Sequence, residues 1–316
     1  MMKKINDIIG DAKTIGIAGH LRPDGDCMGS CMSLYNYLKK NRPDLDVRVF
    51  LEFVDKKFNI IENTDQIITT GYDGTKFDLF ISLDTASLDR LGLNLPFYKN
   101  SKRTACIDHH ASNDGYADYN YILPKASSAS EVLYDLLDEE LIDKSIAEPM
   151  YMGIAHDSGV FRFQSTTPKT MRIAANMIEK GVNVNMILEE TFFRKTYNQM
   201  MVTAKIQSEA VLALDGKCIY GYCTSEMMEE YGVTTKDLDA VVASIRNVDG
   251  VEVAMFLYQL SEDSYKVSLR SKNYVDVSKI AVENGGGGHV RAAGAEIHGE
   301  LNDIINKLLN RIKQDI

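Results

Sequence analysis

The sequence predicts an α/β protein of two domains, the first a mainly parallel βαβ sheet that carries the candidate site, the second a smaller α/β unit. Three observations predict it. Short apolar runs alternate with helical patterns through residues 14–180, which is the signature of parallel βαβ units. Acids and imidazoles sit where these runs end, at the carboxyl side of the expected strands. After a long helical stretch, strand and helix signals begin afresh at Cys218. With 316 residues, 45% of them hydrophobic, the chain is long enough for two cores, since single cores stop growing at roughly 250–300 residues. The expected division is 1–185 for the first domain, 186–213 for a helical connector and 214–316 for the second.

Taken in order, residues 2–12 read as a short amphipathic helix leading into a strand at 14–18. Cys27 to Lys40 has apolar residues at helical spacing (Met28, Cys31, Met32, Leu34, Tyr35, Leu38), a core-packing stripe. Gly25 and Gly29 lie where the chain turns tightly from strand to helix. Val47–Phe50, Asp78–Asp84 and Arg103–Ile107 are further strands, with a short edge piece at Gln66–Ile68. Ser128 with Glu131, and Ser145 with Glu148, fit the capping box, giving helices at 128–141 and 145–156. Pro168 suits the first turn of a helix that stops at Gly181. Residues 183–213 read as wholly helical. The second domain then follows as strands near 218–222, 251–258, 264–270 and 293–297, with helices near 276–284 and 301–313.

The net charge of −10 argues against a protein that grips long duplex through a broad basic face, because that affinity comes from neutralising many phosphates. Short substrates stay open, since bound divalent cations would offset several of the acids. Five cysteines without a C-x-x-C pair suggest buried, reduced thiols and a reducing compartment. Asp7 and Asp11 interrupt any apolar leader, and no run approaches the ~18 apolar residues of a membrane span. A cytoplasmic protein with no membrane partner is the expectation, and a homodimer is left open.

Asp108-His109-His110 ends the apolar run Thr104–Ile107. Imidazole and carboxylate together suit divalent Mn, Co, Fe or Zn, whereas Mg and Ca prefer oxygen alone. A solvated polar loop would give the same letters, but three other stretches repeat the placement. His20, Asp24 and Asp26 follow the first strand, Asp84 closes the strand from Phe77, and Asp157 ends an apolar stretch from Met150. Coincidence at four strand or helix ends is less economical than one shared site. Near the carboxyl end, Gly285–Gly288 followed by His289 and Arg291 reads as an anion-binding turn: glycine amides approach a phosphate closely and the two side chains add donors. A bare glycine turn is the plain alternative.

The pattern H-x-x-x-D-x-D, a strand-end Asp, Asp-His-His and a late Asp resembles the DHH phosphoesterase family. The stretch G-G-G-G-H-V-R-A-A-G resembles its type 1 DHH-associated C-terminal domain. Together they cover nearly the whole chain, and a chain this short is most similar to the nano-RNase A type. The resemblance implies an enzyme that degrades oligoribonucleotides of a few residues to mononucleotides and removes the 3′-phosphate of phosphoadenosine phosphate. It further implies two Mn²⁺-like cations, one held by His20, Asp24 and Asp84, the other by Asp26, Asp84, His109 and Asp157. Asp108 would then orient an imidazole and His110 would face the substrate phosphate. Gly286, Gly287, Gly288, His289, Arg291 and Arg270 would contact the nucleotide, with an exposed strand-end arginine as the alternative for Arg270. No metal position departs from the pattern.

Paired cations of this kind suit hydrolysis of a phosphorus ester, clamping attacking and leaving oxygens and lowering the pKa of a bridging water that attacks phosphorus. Arg22 and Arg162 are candidate helpers, against the ordinary expectation that arginines are solvated. His156 reads as packed beside Asp157, and His298 as a surface residue. Chemistry on one domain and phosphate recognition on the other would make a cleft that measures substrate length. The partners expected are therefore short single-stranded oligoribonucleotides or nucleoside bisphosphates, with no long duplex. Alternatives are a phosphodiesterase of cyclic or linear signalling dinucleotides, a single-stranded DNA exonuclease, which would call for extra domains, and a nucleotide-sensing module, whose mark would be a lost ligand.

Overall fold

A computed structural model describes residues 4–238 and 241–316. Its chain forms two compact units, Met1–Arg194 and Lys195–Ile316. In the first, α1 (Ile5–Ile9) precedes β1 (Thr14–Ala18), α2 (Gly25–Asn41), β2 (Asp46–Phe50) and β3 (Leu79–Leu83). Then come α3 (Leu95–Asn100), β4 (Arg103–Asp108), β5 (Tyr119–Ile122), α4 (Ala129–Leu136), α5 (Lys144–Asp157), α6 (Pro168–Glu179) and α7 (Val184–Leu188), which runs into a π-helical turn at Glu189–Phe193.

The five strands lie in the order β2-β1-β3-β4-β5, every neighbouring pair parallel. In this order the chain reverses direction across the sheet between β1 and β3, and the crevice beyond their carboxyl ends is where such sheets bind ligands. Strand β3 is buried from end to end, as a central parallel strand with helices on both faces must be.

Helix α2 is buried from Gly25 through Leu38, more deeply than a one-sided apolar stripe requires. Its apolar residues meet the sheet core, and its polar ones bond to a neighbouring helix or back to its own turns. Ser33 Oγ lies 2.7 Å from Gly29 O and 3.2 Å from Ile146 O, and Asn36 Nδ2 donates to Ser145 O at 2.8 Å. Gly29 lets α2 touch α5 backbone to backbone: a Cβ there would lie 2.4 Å from Pro149 O and 2.8 Å from Gly153 Cα.

Several boundaries differ from the sequence expectation, each for a local reason. Helix α4 stops at Leu136 because Leu137 is extended, leaving Glu139–Leu141 as a separate 3-10 turn. Helix α5 starts earlier than expected because Asp143 caps it, accepting from the Ile146 amide at 3.3 Å. Among the described residues the first helix spans Ile5–Ile9, residues 2–3 of its expected range lying outside them, and the edge piece at 66–68 is reduced to a single bridge from Phe50 to Ile68. The stretch expected to link the domains is divided between the units after Arg194, where the backbone turns extended.

The second unit holds α8 (Tyr197–Glu209), β6 (Val211–Ala213), β7 (Cys218–Cys223), α9 (Ser225–Tyr231), α10 (Val241–Ile245), β8 (Val253–Ser261) and β9 (Ser264–Ser271). It ends with α11 (Val277–Val282), β10 (Gly287–His289), β11 (Ala292–His298) and α12 (Leu301–Ile312). Its sheet order is β10-β11-β9-β8-β7-β6, antiparallel except for β7 beside β8. Val253, Met255, Leu257, Val267, Leu269, Ala293 and Ala295 face α11 and α12. By strand alternation the opposite face carries Ala254 and Phe256 under α8–α10, then Lys266, Ser268, Arg270, Ala292 and Gly294.

Candidate metal centre

Four chain segments meet at the carboxyl end of the first sheet. His20 lies two residues beyond β1, Asp84 one residue beyond β3, Asp108 ends β4, and Asp157 is the last residue of α5. Asp24 caps α2 and Asp26 lies in its first turn. Asp84 adopts φ 51, a left-handed conformation that an Asp tolerates better than most residues and that aims its side chain back over the sheet edge. The loop after Asp157 is strained as well: Val160 and Phe161 have φ 56 and 61, costly for a β-branched and an aromatic residue.

The ligand-capable atoms group into three overlapping trios, each within 4.8 Å: His20, Asp24 and Asp84; Asp26, His109 and Asp157; Asp84, His109 and His110. Within them His20 Nε2 lies 3.5 Å from Asp84 Oδ2 and 3.7 Å from Asp24 Oδ2. His109 Nε2 lies 3.4 Å from Asp84 Oδ1 and 3.2 Å from Asp157 Oδ2. Most of these separations exceed a good hydrogen bond and suit groups gathered around shared cations. Asp84 Oδ1 makes the fit sharper: it is buried, has no hydrogen-bond partner, and belongs to a residue 2% exposed. A bare carboxylate oxygen in that position is costly unless a cation takes it. The donor set of imidazole nitrogens and carboxylate oxygens matches borderline divalent ions.

Orientation comes from partners outside the trios. His20 Nδ1 pairs with Leu21 O at 2.7 Å, which fixes that nitrogen as the donor and turns Nε2 to the acids. Arg90 Nη2 stands 3.4 Å from the same Nδ1. Asp108, fully buried, accepts from His110 Nδ1 at 2.8 Å and from Asn113 Nδ2 at 2.7 Å. Asn113 and Arg90 were not singled out from the sequence; Asn113 carried a faint signal, an amide three residues after His110. His156 is packed between Gly25 and Phe192 with Nε2 on Thr191 Oγ1 at 2.9 Å, and burial pulls it down to about 4.

Without cations, protons balance the acids. Burial opposes charging His109, but Asp84 and Asp157 outweigh it and lift it to about 10; His20, with Cys27, Asp24 and Asp84 around it, is also raised despite burial. Burial and then Asp84 push Asp26 up to about 7, and burial raises Asp157 well above the carboxylate range. Asp84 is held low against burial by His109 and His20. Raised imidazoles are protonated at pH 7 and must give up those protons to a metal, so cation binding should release protons. Affinity should then fall about tenfold per pH unit for each proton displaced as pH drops. Titration calorimetry in two buffers of different ionisation heat checks this; binding without proton release would contradict it.

The two helper arginines belong to none of the three trios. Arg22 and Arg162 are exposed, the first with its amide on Glu52 and the second with Nε on Gly159 O at 3.1 Å. In the second unit, Arg270 is in register with Ala292, and Ala292 with His289, so Arg270 and His289 share one face about 10 Å apart. Arg270 Nη1 donates to Leu269 O and Arg291 Nη1 to Val275 O at 2.7 Å. The glycine run forms an edge strand instead of an open turn. A Cβ at Gly286 would lie 2.1 Å from Gly294 O, and one at Gly288 2.5 Å from Ala292 O, so these glycines permit β10 to approach β11. Of the paired glycines Gly287, Gly288 and Gly294, Gly287 alone has nothing within 4 Å of a Cβ placed on it. Lys266, also not anticipated, places Nζ 3.8 Å from the Cβ position of Gly294, over the same face.

Comparison with known proteins agrees with this layout. A model described as DHH family, N-terminal domain, matches residues 14–154, and one described as DHHA1 domain matches 215–315. The chain is 31% identical over 313 residues to the bifunctional oligoribonuclease and PAP phosphatase NrnA of Thermus thermophilus, covering 96% of this chain and 90% of that protein. It is 27% identical over 290 residues to the Bacillus subtilis protein of the same name, covering 90% of each. A crystal structure of an exopolyphosphatase-related protein from Bacteroides fragilis superposes with TM-score 0.89 at 23% identity, covering 98% of this chain and 95% of that one, a likeness of fold.

Proposed function

We propose, from the premise that the chain belongs to the DHH family of phosphoesterases, that it hydrolyses short oligoribonucleotides to mononucleotides and removes the 3′-phosphate of phosphoadenosine phosphate. The observation that carries this reading is the convergence of His20, Asp24, Asp26, Asp84, His109 and Asp157 at one sheet edge, with Asp84 common to two trios. His20, Asp24 and Asp84 would hold one divalent cation and Asp26, Asp84, His109 and Asp157 a second, most naturally Mn²⁺. When bound, such a pair supplies Lewis acidity and lowers the pKa of water at the phosphorus.

The chain's own groups do the rest. Asp108 fixes His110 through Nδ1, so His110 meets substrate through Nε2 and can donate to a phosphoryl oxygen as charge builds there. On the second unit, Arg270 and His289 flank a floor of Ala292, Gly287 and Gly294 that is flat enough for a nucleotide, with Lys266 over Gly294. Arg291, whose Nη1 donates to Val275 O, and Gly286, whose amide donates to Ala281 O, are instead engaged on the α11 side. The net charge of −10 repels long polyanions beyond the first few nucleotides, which favours short strands. All five cysteines are free and buried, in keeping with a reducing cytoplasm. Among the described residues no helix is long and apolar enough to cross a membrane.

The test is a panel of an RNA dinucleotide, a linear signalling dinucleotide, phosphoadenosine phosphate and a ten-residue RNA, each with Mn²⁺ and with chelator. Metal-dependent release of mononucleotide from the RNA dinucleotide and of phosphate from phosphoadenosine phosphate is expected, with much slower attack on the ten-residue strand. No release from either small substrate would refute the reading; equal rates at all lengths would refute the preference for short strands. In the same assay His289→Ala should raise KM about tenfold with kcat little changed, and an unchanged KM would remove His289 from the substrate face.

A further inference from the structure

Asp26 is held differently from the other acids of the cluster. Its two oxygens accept from consecutive backbone amides at the start of α4, Oδ2 from Ala129 at 2.6 Å and Oδ1 from Ser130 at 3.0 Å. Asp26, Ser128, Ala129 and Ser130 are all 0% exposed. The turn that supplies these amides is itself fastened. Ser128 Oγ accepts from the Glu131 amide at 3.0 Å, and the Glu131 carboxylate takes both Ser127 Oγ and Thr170 Oγ1 at 2.7 Å, tying α4 to the start of α6. Amides at a helix start, aided by its dipole, favour the ionised carboxylate that burial disfavours.

One atom in this assembly is unaccounted for. Ser130 Oγ is buried and makes no well-formed hydrogen bond, with the Asp26 carboxyl as its polar neighbour. It lies against α5, since a Cβ on Gly153 would sit 2.1 Å from Ser130 Oγ and 2.7 Å from Asp26 Oδ1. The hydroxyl, the carboxylate and the Gly153 backbone thus share one small space. A native buried hydroxyl without a well-formed hydrogen bond calls for a reason, and the Asp26 carboxyl is the group in reach.

We infer that Ser130 is a positioning residue for the phosphoesterase reaction: with the first turn of α4 it aims Asp26, its hydroxyl within reach of Oδ1, at the cation that this acid would hold. Gly153 keeps the space in which that hydroxyl lies. This rests on the proposed two-cation site and adds the device that sets one of its acids. Groups that orient a metal-binding side chain are typically worth 10–100-fold in affinity.

The experiment compares wild type, Ser130→Ala and Gly153→Ala by Mn²⁺ titration, following free Mn²⁺ by its paramagnetic resonance signal, and by dinucleotide kinetics over a range of Mn²⁺. Ser130→Ala should bind one of two ions on the order of tenfold more weakly. Its kcat at low Mn²⁺ should fall by a similar factor and recover at high Mn²⁺, with KM for the dinucleotide unchanged. Gly153→Ala, which crowds the same acid, should weaken the same ion. Unaltered affinity for both ions in folded Ser130→Ala overturns the inference, and so does a loss of kcat that high Mn²⁺ does not restore. Wild-type protein that binds no Mn²⁺ pair or leaves the dinucleotide intact overturns the functional reading beneath it instead.

Discussion

Asp84→Ala should lower dinucleotide turnover by at least about 10³-fold, roughly 4 kcal/mol of transition-state stabilisation, while the protein stays folded. Asp84 is the acid common to two of the three trios, and its buried Oδ1 makes no well-formed hydrogen bond, its nearest polar neighbour being His109 Nε2 at 3.4 Å. Its removal takes a donor from both cations at once, whereas loss of Asp24, whose side chain is 58% exposed, leaves the other grouping intact. Folding should tolerate the change. Alanine fits the left-handed backbone less readily than Asp and leaves His20 and His109 without their shared acid, so a modest loss of stability should accompany the change. Single-turnover kinetics with thermal melting separates the two effects. Full activity in the variant would refute the assignment; a collapse of the melt would mean that the acid serves the fold.

Gly29→Val should destabilise the first unit by about 3 kcal/mol or more, at or beyond the upper end of the ordinary cost of overpacking a core. The reason is that the atoms a side chain would strike are backbone, Pro149 O at 2.4 Å and Gly153 N at 2.8 Å, so no rotamer change relieves it. The α2–α5 contact also sets the site, because Asp26 lies on one helix and Asp157 on the other. Forcing the helices apart should therefore cost activity even in molecules that remain folded. Urea unfolding followed by circular dichroism would show the loss as a lower midpoint. A variant within about 0.5 kcal/mol of wild type would mean that the crossing is softer than its contacts imply.

The parallel sheet was legible because its inner strands are mostly apolar and lead into charge: Leu79–Leu83 followed by Asp84 does not read as an amphipathic helix. The convergence of acids and imidazoles followed from that, since strand ends of one sheet share an edge. Short pieces at the periphery were not legible. Strand β5 is four residues, none of them fully buried, so Tyr119–Ile122 has little apolar pattern to read. Strand β10 is made of Gly287, Gly288 and His289, residues that argue against a strand, and only the close approach to Gly294 explains them. Helix α9 is seven residues, too short for a period to declare itself.

The partners behind the site were hidden for a different reason. Asn113, Ser130 and Arg90 act through other side chains or beside a backbone carbonyl, and nothing about a single Asn, Ser or Arg says what it will face. Ser128-Ala129-Ser130-Glu131 announced a helix start, and α4 does start there, with Ser128 as its cap. That the two amides after this cap would close on an acid more than a hundred residues earlier is a property of the α2–α4 packing alone.

Crystals grown with Mn²⁺ and measured at the manganese absorption edge test the two-cation site most directly. Two anomalous peaks should appear, one among His20, Asp24 and Asp84, the other among Asp26, Asp84, His109 and Asp157, with Asp84 touching both. Protein saturated with Mn²⁺ that shows no peak among these side chains, or shows its peaks elsewhere, would contradict the site from which the proposed chemistry follows.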